Sequence, residues 1–122
     1  MQKLKSPNPV GPYSMFRELS SGGWITSGQI PIDPETGKLN NKSVKDEVVQ
    51  VFDNLAAVCQ AAGGSLRDIV NLNIYLTDLG HFHEVNEVMK EKMSKPYPAR
   101  AAIGVNQLPK DSLVEMDAIM VI

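Results

Sequence analysis

The segment LVEMDAIMVI at residues 113–122 has the two-residue alternation of a β-strand, yet both of its faces are apolar. Val114, Met116, Ala118, Met120 and Ile122 fall on one side, and Leu113, Ile119 and Val121 fall on the other together with Glu115 and Asp117. Such a strand must be covered twice. Whatever this chain folds into has to bury the two sides of its last strand by different means.

The rest of the sequence supplies cover for one of them. Ser43, with Asp46 three residues on, reads as a capping box, and Val44, Val48, Val51, Phe52, Leu55, Val58, Cys59 and Ala62 recur at helical spacing until Gly63-Gly64. Asp78 is placed to cap a second helix whose inward stripe is Phe82, Val85, Met89 and Met93, closed by Pro96 and Pro98. Between the helices the period changes to two: Val70, Leu72, Ile74 and Leu76 share one face, Asn71, Asn73, Tyr75 and Thr77 the other. YSMFREL and WITSGQI, separated by Ser-Ser-Gly-Gly, read as a β-hairpin, Arg100 to Val105 as a buried strand, and Pro109-Lys110-Asp111 as a turn. The pattern predicts an α+β fold with a mostly antiparallel sheet and two helices on one face. The other face then predicts packing against further copies of the chain, a homo-oligomer.

Length and charge exclude several classes. With 122 residues the chain is expected to form a single domain over 1–122, and a formal net charge of −2 gives no electrostatic footprint for nucleic acid. The N-terminal stretch has no apolar core of signal-peptide length, and AIMVI is too short to span a bilayer, so a soluble, cytoplasmic protein without a membrane partner is expected. Cys59, the only cysteine, lies on a helix stripe and reads as a small core hydrophobe rather than a reactive thiol. His81 and His83 are two apart on a helix, so their side chains diverge and no zinc site is expected. Gly63-Gly64 ends a helix instead of opening one, and no G-x-S-x-G elbow is present.

Arg100 is the residue these patterns leave unexplained. It follows PYPA at the mouth of a small-residue apolar run, with no acidic residue nearby in sequence. A guanidinium there needs a carboxylate from elsewhere. Glu115 poses the same problem in the opposite sign. Two arrangements satisfy both: a structural Arg100–Glu115 pair on neighbouring strands, or an Arg100 that holds a substrate carboxylate while Glu115 handles a water.

GPYS at 11–14, ITSGQIPIDPETG at 25–37, LTDLGHFHEVNEV at 76–88, PYPAR at 96–100 and LPKDSLVEMDAI at 108–119 together resemble the reactive intermediate (imine) deaminases, the RidA/YjgF family. The match is collinear over almost the whole chain. The resemblance implies a chorismate-mutase-like fold, a homotrimer with sites between adjacent subunits, and hydrolysis of 2-imino acids such as 2-iminopropanoate and 2-iminobutanoate to 2-keto acids and ammonia, with no metal or organic cofactor. It implies that Arg100 grips the substrate carboxylate and that Glu115 serves the hydrolytic water. Tyr13, Gly28 and Asn86 match further site positions; Asn86 reads equally as a brace between helix and strand. Many members carry a cysteine two residues after the arginine, where this chain has Ala102. Any mechanism needing that thiol is closed here, while backbone groups of Ala102 still border the expected cleft. Two other readings stand beside it: a non-catalytic metabolite-binding regulator in which Arg100 binds keto or amino acids, and the endoribonuclease or translation inhibitor that the family has also been labelled.

Overall fold

A computed structural model of the protein describes residues 5–122. Helix α1, Val44–Ala61, begins where Ser43 Oγ accepts the Asp46 amide at 3.1 Å. It ends in a Schellman motif: Gly63 takes φ +96°, its amide donates to Gln60 O, and the Gly64 amide donates to Cys59 O. Only glycine holds that backbone without strain. The reciprocal half of a capping box is made at Ser65, whose amide donates to Asp68 Oδ2 at 2.8 Å.

Strands β1 (Phe16–Glu18) and β2 (Gly23–Thr26) form the expected antiparallel hairpin, turning through Gly22 at φ +94°. β3 is Ile69–Leu76, β4 Ala99–Gly104 and β5 Val114–Val121. The sheet order is β1-β2-β5-β3-β4, antiparallel throughout except for the parallel β3–β4 pair. Helix α2, Phe82–Lys92, is the crossover between those two parallel strands. Asp78 caps the short 3₁₀ turn Leu79–His81 ahead of α2, through the Gly80 amide, and not α2 itself.

The core lies on one side of this sheet. Val48, Val51, Phe52, Leu55 and Cys59 of α1 and Val85, Val88 and Met89 of α2 pack on Leu72, Ile74 and Leu76 of β3 and on Val114, Met116, Ala118 and Met120 of β5. The strand registers pair Leu72 with Ala118, Ile74 with Met116 and Leu76 with Val114. Two expectations need correction. Val70 is exposed and Ile69 is buried in its place, because the β3–β5 register shifts between Ile69 and Asn71 and a bulge turns the strand over. The strand from Arg100 is not buried: β4 is a sheet edge, and Arg100 and most of its neighbours are exposed.

Among the described residues no helix covers the opposite face of the sheet. Asn71, Asn73 and Tyr75 of β3 lie there beside Ala99, Ala101 and Ile103 of β4 and Ile119, Asp117 and Glu115 of β5. One buried carboxylate fixes where β5 begins. Glu47, 2 % exposed in the first turn of α1, accepts the Leu113 amide at 2.9 Å, and burial pushes its carboxyl above the ordinary value.

Candidate active site

Glu115 sits at the start of β5 on the helix-free face, and the segment after β2 closes over it. Gln29 locks that segment down by exchanging two backbone hydrogen bonds with Met116, at 2.7 and 3.1 Å. The preceding Gly28 then lies so near Glu115 that a Cβ built on it would meet Oε2 at 2.1 Å. Glycine is required here for close approach rather than for an unusual φ. Ser27 ties the segment to the N-terminal stretch, its amide donating to Met15 O at 2.8 Å and its hydroxyl to Ser14 O. Tyr13 follows, its hydroxyl accepting the Val10 amide at 3.1 Å. Tyr13, Met15, Gly28, Ile30, Pro109 and Glu115 are among the residues around a cavity of about 350 Å³. Burial first, and the charge of Asp117 second, hold the Glu115 carboxyl above the usual carboxylate range.

Arg100 belongs to a different place. The β3–β4 register sets it beside Leu72, on the helix-covered side, whereas Glu115 faces the other side across from Tyr75. Its guanidinium stacks over the Phe82 ring at 4.7 Å from the centroid, and Nη1 reaches Met89 Sδ at 3.3 Å. Phe82, Asn86 and Met89 share one face of α2 at three- and four-residue spacing, so the helix presents a ring, an amide and a thioether together. Asn86, Met89, Lys90, Tyr97, Pro98 and Arg100 surround a second cavity of about 300 Å³. Ala102 follows on the same face of β4, half-buried against the core.

The structure thus brings Tyr13, Gly28 and Glu115 together, and Asn86 and Arg100 together, but keeps the two groups apart. An Arg100–Glu115 pair on neighbouring strands does not form, because β3 lies between β4 and β5 and the two side chains point to opposite faces. Arg100 has no carboxylate partner among the described residues. The sequence reading set Asp117 beside Glu115 and Phe82 on the α2 stripe without giving either a part in the site, and it left Tyr97 of the arginine cavity unassigned. Burial and the nearby Asp68 push the Cys59 thiol up to about 12, which leaves it unreactive. Among the described residues no three His, Cys, Asp or Glu side chains gather around one point, and no helix is long and apolar enough to cross a membrane.

Comparison with known proteins gives this arrangement a lineage. The sequence model of the family described as Endoribonuclease L-PSP matches residues 3–122. A RutC family protein of Pyrococcus abyssi is 45 % identical over 116 residues, covering 94 % of this chain and 90 % of the relative. A 2-iminobutanoate/2-iminopropanoate deaminase of Dermatophagoides farinae is 38 % identical over 117 residues, covering 96 % and 91 %. Among solved structures, RidA from an Antarctic Psychrobacter superposes with a TM-score of 0.91 at 43 % identity over the full length of both chains. Escherichia coli TdcF, solved with bound serine, superposes at 0.88 with 34 % identity over 100 % of this chain and 99 % of that one. The chain belongs to the RidA/YjgF family.

Proposed function

We propose that the protein is a cytoplasmic imine deaminase that hydrolyses 2-imino acids, 2-iminobutanoate and 2-iminopropanoate among them, to 2-keto acids and ammonia, as a homotrimer with sites across subunit boundaries. The observation that carries this reading is the separation of Arg100 and Glu115 onto opposite faces of one sheet, each beside its own cavity and neither paired with the other. Each is half of a site. A second copy docked on the helix-free face supplies the missing half and covers the apolar residues Ile25, Ile103 and Val121 that stay exposed on a single chain.

Arg100 holds the carboxylate of the imino acid by two parallel hydrogen bonds, its guanidinium already fixed on Phe82. Glu115 takes a proton from water as the water oxygen bonds to the carbon of the protonated C=N group, and the carbinolamine forms. Glu115 returns that proton to nitrogen, the C–N bond breaks and ammonia leaves, and the C=O bond closes as the hydroxyl proton passes to solvent. Water is the nucleophile, so Ala102 in place of a cysteine is compatible with the chemistry. The name of the Dermatophagoides relative and the serine in the Escherichia structure favour a ligand with a carboxylate.

A coupled assay tests the reaction. A serine dehydratase generates 2-aminoacrylate, and the purified protein is expected to speed its conversion through the imine to pyruvate and ammonia. Decay at the buffer rate rejects the reading. Glu115→Gln is expected to keep 2-ketobutyrate binding while slowing hydrolysis by about 10²-fold or more, a split that a purely metabolite-binding regulator does not produce. The family description raises RNA cleavage as a rival. RNA binding whose affinity falls steeply with salt would support that rival over the deaminase.

A further inference from the structure

The helix-free face of the sheet carries a second carboxylate whose surroundings are the reverse of those of Glu115. Asp117 is two residues further along β5 and shares its face. Both of its oxygens are met from β3: Asn73 Nδ2 donates to Oδ1 at 2.8 Å, and the Tyr75 hydroxyl donates to Oδ2 at 2.9 Å. Tyr75 stands directly across from Glu115, yet its hydroxyl goes diagonally to Asp117. Glu115 accepts no hydrogen bond from any described side chain or amide, and the backbone at Gly28 presses on it. Two carboxyls on one strand face are therefore unequal, one clamped by donors and one without any. Unequal surroundings of this kind suit two carboxyls on one face to different parts in one reaction.

We infer that Asp117, held in place by the donors Asn73 and Tyr75, is a positioning residue for the reaction: its carboxylate beside Glu115 makes Glu115 the carboxyl of the pair that takes the proton from water and returns it to nitrogen. This rests on the water-handling role of Glu115 proposed above. Asp117 gains and loses nothing over the cycle, since the proton moves from water to Glu115 and from Glu115 to the departing ammonia. The upward displacement of the Glu115 carboxyl, caused by burial and then by Asp117, agrees in direction. The Tyr75 phenol is also held up, by burial first and then by its bond to Asp117.

Few other titratable groups among the described residues face the pair. β1 contributes Arg17, which the register places beyond Ile25 and Ile119, and β3 contributes Tyr75. β2 places Ile25 on this face and β4 places Ala99, Ala101 and Ile103 there, all without charge. The closing segment adds Gly28 and the Tyr13 phenol.

Carboxyl ¹³C NMR titration of Glu115, without substrate, tests the coupling, with pH profiles of imine hydrolysis measured alongside. Asp117→Asn is expected to lower the Glu115 midpoint by roughly half to one pH unit and to move the acid limb of kcat/KM down with it. Asp117→Glu, which keeps the charge, is expected to hold both near their wild-type positions. An unmoved midpoint in folded Asp117→Asn overturns the inference, as does an equal fall in Asp117→Glu. If Asp117→Asn fails to fold, Tyr75→Phe frees one oxygen to swing towards solvent and is expected to give a smaller fall in the same direction; no change overturns the inference. A lowered midpoint in a protein that hydrolyses no imine upholds the coupling and rejects the reaction assigned to the site.

Discussion

The two cavities differ in how they hold their charged residue. Glu115 is crowded: backbone at Gly28 lies against it, Asp117 shares its face, and apolar side chains line its cavity. Arg100 is exposed on an edge strand, and its supports among the described residues are a ring and a thioether. The crowded carboxyl suits the proton-moving role proposed for it, and the stacked guanidinium suits the proposed capture of an anion. In the proposed function, proton chemistry and substrate capture are built separately in one chain and meet when chains assemble.

The largest effect is expected from disabling each half in a different chain. Arg100→Ala and Glu115→Gln should each lower hydrolysis by about 10²-fold or more, and co-assembled at equal amounts they should restore about a quarter of the sites, since sites built from two subunits then regain both groups at random. Mixtures no more active than either variant would show that each site lies within one chain. Gly28→Ala strikes only the carboxylate half. The added Cβ would overlap the flexible end of Glu115, so the fold should survive while turnover falls by about 10- to 10²-fold and 2-ketobutyrate affinity stays within a few-fold. Wild-type turnover would remove Gly28 from the site.

Phe82→Leu strikes only the arginine half. Loss of the cation–π platform should weaken 2-ketobutyrate binding by roughly 0.5–2 kcal/mol, read by calorimetry, and leave the pH profile unmoved. Glu47→Gln probes the tether behind Glu115. Because burial raises the folded-state value of Glu47 above 4.5, its stabilising contribution is complete below 4.5 and is lost as pH rises through that folded value. The amide keeps an acceptor for Leu113 without the charge, so a gain of about 1 kcal/mol in denaturant unfolding at pH 7 is expected, shrinking towards pH 4. Cys59→Ala touches neither half: turnover should be unchanged, with about 1 kcal/mol of stability lost to the smaller side chain.

What the sequence made legible was local. The 3.6-residue stripe of α1, its serine cap and its glycine stop appear in the structure as read, as do the hairpin and the doubly apolar β5. Val70 was misplaced because a bulge breaks a period that otherwise looks regular, and Val88 was missed in the α2 stripe because it widens the apolar face beyond the residues counted. The site was harder. Arg100 and Glu115 stood out as charges without local partners, but their relation depends on β3 lying between them, and strand order is set by long-range packing that no local pattern carries. The Asn73–Asp117–Tyr75 network was hidden for the same reason: it joins two strands whose register only the fold supplies.

β5 is the last strand in chain order and the middle strand of the sheet. During synthesis the hairpin β1–β2 and the β3–β4 unit are both complete before the strand that joins them exists. Until it arrives, each leaves an edge unpaired, and α1 lacks half of the surface it will cover. The decisive closure therefore spans most of the chain and comes after translation of these residues, as a slow step of high contact order. A ribosome stalled before residue 114 would hold two sheet fragments with no common core, a substrate for chaperones or proteases rather than a smaller version of the protein.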